Sequence, residues 1–362
     1  MKKPFRETMF SLLIVLTSFV FIKSGDGRWE IVATKNAEPN RGECGMAASN
    51  GKLYLLGGGA LPTAVYDPST ATWSNKAKAP VDMNHFQPVA FNEKIYVLEA
   101  FTAGQYPEQP NLKNVYIYDT QKDEWTTGGA LPEARSRAAA GAALYNGKLY
   151  LVAGIQHGHT SGTCNMFDEY DPQTGKWTAL PDAPHIRDHC AAAVVKDKLY
   201  IAGGRNTSYH EAANFMSFFK KTVLEVDCYD FKTGHWSTLD DKLPLGSGGG
   251  SMVNLDDKLY YMGGERATET ESNQPRADVF WMDPAAGGGW KETNRLNEAR
   301  NGMSAAVLNH TIYVFGGAGP KMPPMPDGPR NDTAHRQPLP PPPPGREQGP
   351  QPPSPLEMFS VK

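Results

Sequence analysis

The stretch "GKLYLLGG", Gly51–Gly58, opens on a turn residue, runs through four apolar side chains and closes on paired glycines. Five later stretches repeat it: "EKIYVLEA" (93–100), "GKLYLVAG" (147–154), "DKLYIAGG" (197–204), "DKLYYMGG" (257–264) and "HTIYVFGG" (310–317). Their tyrosines, Tyr54, Tyr96, Tyr150, Tyr200, Tyr260 and Tyr313, are spaced by 42, 54, 50, 60 and 53 residues. Recurrence at a period of about 50 means that one supersecondary unit is built several times over.

The unit reads as four short strands. A run of small residues precedes each tyrosine, as in "RAAAGAALY" (137–145) and "HCAAAVV" (189–195), and a Tyr-Asp segment such as "VYIYD" (115–119) follows it. A fourth strand carries tryptophan at a constant distance: Tyr66 to Trp73, Tyr118 to Trp125, Tyr170 to Trp177 and Tyr229 to Trp236. Turn chemistry such as "DPST" and "DPQTGK" separates the strands, and no segment shows helical periodicity of useful length. Paired glycines, Tyr-Asp and the spaced tryptophan together resemble the kelch-repeat β-propeller family, part of the galactose oxidase central-domain-like superfamily. The resemblance covers about residues 28–317 and the last few. It implies an all-β fold of six blades, each of four antiparallel strands. Blade 2 departs from the pattern with Glu99-Ala100 in the glycine slot, and blade 5 has Met282 in the tyrosine slot and Trp290 one residue late. "RWEIV" (28–32) has no blade before it and "PLEMFSV" (355–361) lacks a fourth strand, so the two ends are expected to complete the sixth blade together.

Composition narrows the function. The chain has 362 residues, 40% of them hydrophobic, a net charge of −3 and no clustered basic surface, which argues against a nucleic-acid partner. The order of the first 27 residues, cationic "MKKPFR", apolar "MFSLLIVLTSFVFI" (9–22), then "KSGDG", is that of a secretory signal peptide; an uncleaved membrane anchor is the alternative. A secreted or cell-surface location follows. Cys44 and Cys190 fall in first strands on opposite sides of the ring, and Cys164 and Cys228 in third strands of different blades, so no disulfide is expected. The domain reading is residues 1–27 as signal or anchor, 28–317 as propeller, 318–354 as a proline-rich disordered insertion in blade 6 and 355–362 as its closing strand.

Offsets from the anchor tyrosine sort the innermost strands. Thirteen residues before it stand Arg41, Arg137, Arg187 and Arg300; eleven before it stand Glu43, His85, Ala139, His189, Gly249 and Gly302. Together with the residues nine before it, these are assigned to the central channel, and the more apolar set ten before it (Cys44, Phe86, Ala140, Cys190, Gly250, Met303) to packing between blades, because side chains alternate along a strand. The connections after the second strands are long, as in residues 99–114, 154–165, 205–221 and 265–278, and on a rigid scaffold such loops carry binding.

Candidate site residues come from that face. His189, His85 and Glu43 are candidates for acid–base chemistry, and Arg41, Arg137, Arg187, Arg300, His157, His159 and Asp188 for ligand binding. Within the kelch resemblance the four arginines also read as residues that hydrogen-bond neighbouring blades. His157, His159, His185 and His189 are the residues a metal would use, but loop spacing fixes no ligand geometry, and neither a metal nor another cofactor is expected. The copper radical oxidases similar to galactose oxidase need seven blades and a Cys–Tyr pair, which the sequence lacks. The leading expectation is an exported module that recognises a protein or a glycan through its long-loop face. The alternative is a carbohydrate-active enzyme similar to the exported sialic acid mutarotases of kelch type, acting at the channel mouth.

Overall fold

The structure, a computed structural model, describes residues 27–317 and 354–361. The expected signal or anchor and the proline-rich tract lie outside the described residues, apart from Gly27 and Ser354. Six sheets surround a central axis, each with four antiparallel strands in meander order. Blade 1 holds Cys44–Ser49, Lys52–Gly57, Pro62–Asp67 and Thr72–Lys78, and blades 2 to 5 repeat this order through Lys291–Glu292. Blade 5 adds a two-residue strand, Gln274–Pro275, beside Lys258–Arg266.

The sixth blade closes the ring as expected. Ser304–Leu308 pairs with Thr311–Phe315, which pairs with Leu356–Ser360, which pairs with the first strand, Arg28–Val32. Trp29 stands opposite Phe359 with ring centroids 5.1 Å apart. That is the geometry of the Tyr–Trp pairs in blades 1 to 4: Tyr66–Trp73, Tyr118–Trp125, Tyr170–Trp177 and Tyr229–Trp236 sit directly opposite, at 5.2, 5.2, 4.9 and 5.2 Å. Their indole N–H groups also tie blades together. Trp125, Trp177, Trp236 and Trp29 donate to the carbonyls of Ala77, Gly129, Pro181 and Asn294, each at the end of the preceding blade's last strand or just after it.

The hydrophobic core is divided. Six buried clusters each combine side chains of two neighbouring blades, so every wedge between twisted sheets has its own core. The small first-strand residues let the blades converge near the axis, and the aromatic residues fill the widening gap further out. Cys44, Phe86, Ala140, Cys190 and Met303 lie in these wedge clusters, as the offset reading expected. All four cysteines are free and buried.

One expectation is corrected. Residues 154–165 are not a long loop: strands Lys148–His157 and Ser161–Asp171 continue through most of that segment and leave a tight tip at Gly158, His159 and Thr160. Short 3-10 segments occur at Glu133–Arg135 and Phe215–Lys220.

Candidate functional site

The residue eleven before each anchor tyrosine has a left-handed backbone. Its φ is 54° at Glu43, 57° at His85, 54° at Ala139, 53° at His189, 67° at Gly249 and 60° at Gly302. These residues link the blades around the axis. His85 N–H donates to the Glu43 carbonyl (3.0 Å), Ala139 to His85 (2.9 Å), His189 to Ala139 (2.7 Å), Gly302 to Gly249 (2.9 Å) and Glu43 to Gly302 (2.7 Å). Nine before the tyrosine, side chains bridge the channel. Gln87 of blade 2 donates through Nε2 to the Ala192 carbonyl at 2.7 Å, while its Oε1 accepts from Ala142 and Ala192 N–H.

The left-handed residue also relocates the arginines. A single residue with positive φ breaks the two-residue alternation of a strand, so positions thirteen and eleven before the tyrosine do not share a face. Arg41, Arg137, Arg187 and Arg300 are buried inside their blades, not at the channel. Each is paired with a carboxylate: Arg41 with Glu38, Arg137 with Asp168 at 2.8 Å, Arg187 with Asp227 at 2.8 Å and Arg300 with Glu357 at 3.0 Å. Arg41, Arg187 and Arg300 also donate to the carbonyl sixteen residues on, that of Gly57, Gly203 and Gly316, and Arg137 reaches Ala153 in the same way. In blade 5, Ser247 fills the slot and donates to the Gly263 carbonyl.

Above the ring, three imidazoles meet. His85 of blade 2 and His189 of blade 4 project from the ring, with only Ala139 between them on blade 3. The space above that methyl group is filled by His159, from the tip of the blade 3 hairpin. Ring centroids are 4.9 Å apart for His85–His159, 5.0 Å for His85–His189 and 5.1 Å for His159–His189. Each Nδ1 has a side-chain acceptor: Asn84 Oδ1 at 2.6 Å from His85, Gln109 Oε1 at 3.0 Å from His159 and Asp188 Oδ1 at 2.6 Å from His189. With Nδ1–H donating outward, each ring turns its Nε2 lone pair toward the others, and His159 Nε2 and His189 Nε2 lie 3.3 Å apart.

Charge around the trio is arranged by buried partners. Asp188 accepts from Thr163 Oγ1 (2.6 Å), from Thr207 N–H (2.9 Å) and from the Thr207 hydroxyl. Arg205 is paired with Glu265 at 2.7 Å and lies over the Phe218 and Phe219 rings. Burial holds His85 and His189 well below the usual imidazole range, and burial with Arg205 nearby lowers His159 to about 3, so all three rings are neutral. Glu43 Oε1 is 3.5 Å from His85 Nε2, and burial, together with Glu265, raises its carboxyl to about 7. Below the trio is a cavity of about 60 Å³ whose lining includes Glu43, His85, Gln87, His189, Ser251 and Ser304.

The other sequence candidates fall outside this centre. His157 is exposed on the blade 3 hairpin. His185 turns to Asp227 at 2.8 Å. Sequence reasoning missed Asn84, Gln109 and Arg205. A signal for the first was available: Asn84-His85 and Asp188-His189 occupy the same two offsets in blades 2 and 4, an acceptor followed by a histidine.

A closed ring of six four-stranded wedges, with arginines buried inside four of the blades rather than bonding between blades, and a polar channel mouth, defines a β-propeller of kelch architecture. The chain belongs to the kelch-repeat family: residues 64–264 match the KLHDC2/KLHL20/DRC7 Kelch-repeats domain. It is similar to Kelch-like protein terF of Aspergillus terreus, 26% identical over 310 residues that cover 80% of this chain and 64% of that protein. It is also similar to Kelch-like protein 23 of Homo sapiens, 26% identical over 274 residues that cover 74% of this chain and 44% of that protein. The chain thus spans less than two thirds of the length of these relatives. The solved structure of YjhT superimposes with a TM-score of 0.66 at 16% identity, covering 78% of this chain and 92% of that one, which shows a shared fold.

Proposed function

We propose that this chain is an exported kelch recognition module that binds a segment of a partner protein on its long-loop face, above the channel mouth. One observation carries the reading. Among the described residues six large apolar side chains are exposed, and four of them, Tyr106, Ile186, Phe215 and Leu224, lie on this face in the loops of blades 2 to 4. The other two lie on blade 6, Ile31 in its outermost strand and Val361 just past its third. Exposed apolar groups collected on one face mark an interaction surface, and aromatic anchors supply much of the affinity at such surfaces.

The loops are held in place before any partner arrives. The His159 N–H donates to the Pro107 carbonyl at 2.6 Å, His210 Nε2 to the Thr160 carbonyl at 2.8 Å, and the Ser208 hydroxyl to Thr163 at 2.8 Å. Tyr106 packs on His159 and reaches Met216 across the loops. Such preorganisation lowers the entropy cost of binding. The kelch-like relatives support a protein partner in general terms, and the sequence of residues 1–27 supports export.

Peptides selected from a display library against the purified chain provide the test. Tyr106→Ala and Phe215→Ala are expected to weaken them by about tenfold or more each, while Ile31→Ser leaves binding unchanged. Peptides indifferent to all three changes would overturn the reading, as would glycans that bind in their place through Tyr106. Export is checked by fusing residues 1–27 to a reporter and assaying the medium.

A second reading, an acid–base isomerase of the sugar mutarotase kind, draws support from Glu43 and His85, 3.5 Å apart at the cavity. Under the leading reading the chain does not accelerate anomer exchange of neutral or acidic monosaccharides followed by NMR. Acceleration that Glu43→Gln abolishes would establish the second.

A further inference from the structure

We infer that His85, His159 and His189 form a mononuclear transition-metal site at the channel mouth, with zinc as the ion best matched to it. The site does not depend on the partner reading, since it stands on the imidazoles alone.

A neutral imidazole that donates from Nδ1 can only accept at Nε2. All three Nδ1 atoms have oxygen acceptors, so three acceptor lone pairs face one another. The three ligand atoms lie within 4.8 Å of one another. Two lone pairs 3.3 Å apart repel unless something positive stands between them. A metal ion removes the conflict. Two nitrogens each about 2.05 Å from one ion at the tetrahedral angle are about 3.3 Å apart, the separation found for His159 and His189.

The surroundings are those of a metal site also. Asp188 on His189 is the carboxylate–histidine pair that orients a ligand and raises its basicity, and Asn84 and Gln109 hold the other two rings. Two carboxylates, Asp188 and Glu43, offset the charge that three neutral ligands leave uncompensated. Imidazole ligands suit zinc, copper, iron and nickel, and three protein ligands leave one position open. His85 and His189 also line the cavity with Glu43, so the open position is available to water or to an oxygen donor such as a carboxylate.

The test uses the purified chain without a polyhistidine tag, stripped with a chelator and titrated with zinc chloride. Uptake of about one zinc per chain and a raised melting temperature are expected. Cobalt chloride is expected to give visible ligand-field absorption. His85→Ala, His159→Ala and His189→Ala should each weaken zinc by roughly 100-fold or more, and Asp188→Asn by about 10–100-fold. His157→Ala and His185→Ala should not change it. His159 sits on a hairpin tip, so His159→Gln preserves the fold if the ring variants do not. Anomalous scattering from crystals soaked in zinc chloride gives an independent readout. An ion among the three Nε2 atoms supports the site. A bridging water there at saturating zinc, or uptake that only His157 or His185 controls, overturns it.

Discussion

Ala139 occupies the left-handed ring position that an ordinary side chain avoids at a cost of about 1–2 kcal/mol. Glycine carries no such penalty, which offsets the extra freedom it has in the unfolded chain. Ala139→Gly is therefore expected to be less destabilising than Ala142→Gly, in a regular strand of the same blade, by about 1 kcal/mol in urea denaturation. Equal losses would show that the ring position is not strained. Glu99 tests burial in the same neighbourhood. Its carboxyl is buried, and desolvation raises it well above the usual range. Between about pH 4.5 and that raised value the folded state holds a proton that the unfolded chain has lost, so stability falls as pH rises. Glu99→Gln removes this term. The melting temperature of the variant should gain on the wild type from pH 5 to pH 8, and a gap independent of pH would contradict the assignment.

At the scale of the element, blades 1, 3, 4 and 6 are each pinned by a buried arginine and a carboxylate of the same blade or of the segment entering it. Removing one partner of a buried pair leaves the other charge uncompensated, at a cost of about 3–5 kcal/mol. Arg137→Ala should lose that much, since Asp168 then keeps only Arg135, at 2.6 Å. An effect under about 1 kcal/mol would mark the pair as a surface-type interaction. The closing strand carries more. Deleting residues 355–362 removes Phe359 from Trp29 and Glu357 from Arg300, and it exposes the edges of Thr311–Phe315 and Arg28–Val32. The truncated chain should melt well below the wild type and aggregate through those edges. A shift of only a degree or two would mean that blade 6 is held by its wedges alone.

For the whole molecule, six wedge cores and a ring of backbone bonds make the propeller cohesive without covalent staples. All four cysteines are free, and burial raises the Cys44 and Cys190 thiols to about 12. A thiol reagent should therefore label the native chain poorly and all four positions after unfolding, and a reductant should not change the melting temperature. Rapid labelling of the native chain would indicate opening of the wedges.

The repeat itself was legible in the sequence because local chemistry writes it. Turn residues, period-two strands, paired glycines and the Tyr–Trp spacing each reflect contacts within one hairpin, so six blades and the closure through Trp29 and Phe359 could be read from residue types. The channel position of His85, His189 and Glu43 was legible too, since they share an offset. What tertiary structure decided was direction and company. A left-handed residue in or just before every first strand turned the arginines into the blades, and it was not visible because Glu43, His85, Ala139 and His189 are not residue types that favour a positive φ. His159 joined His85 and His189 because a hairpin tip in one blade fills the gap above an alanine in its own ring position. That meeting depends on the curvature of the ring and the length of two paired strands, which no single stretch of sequence encodes.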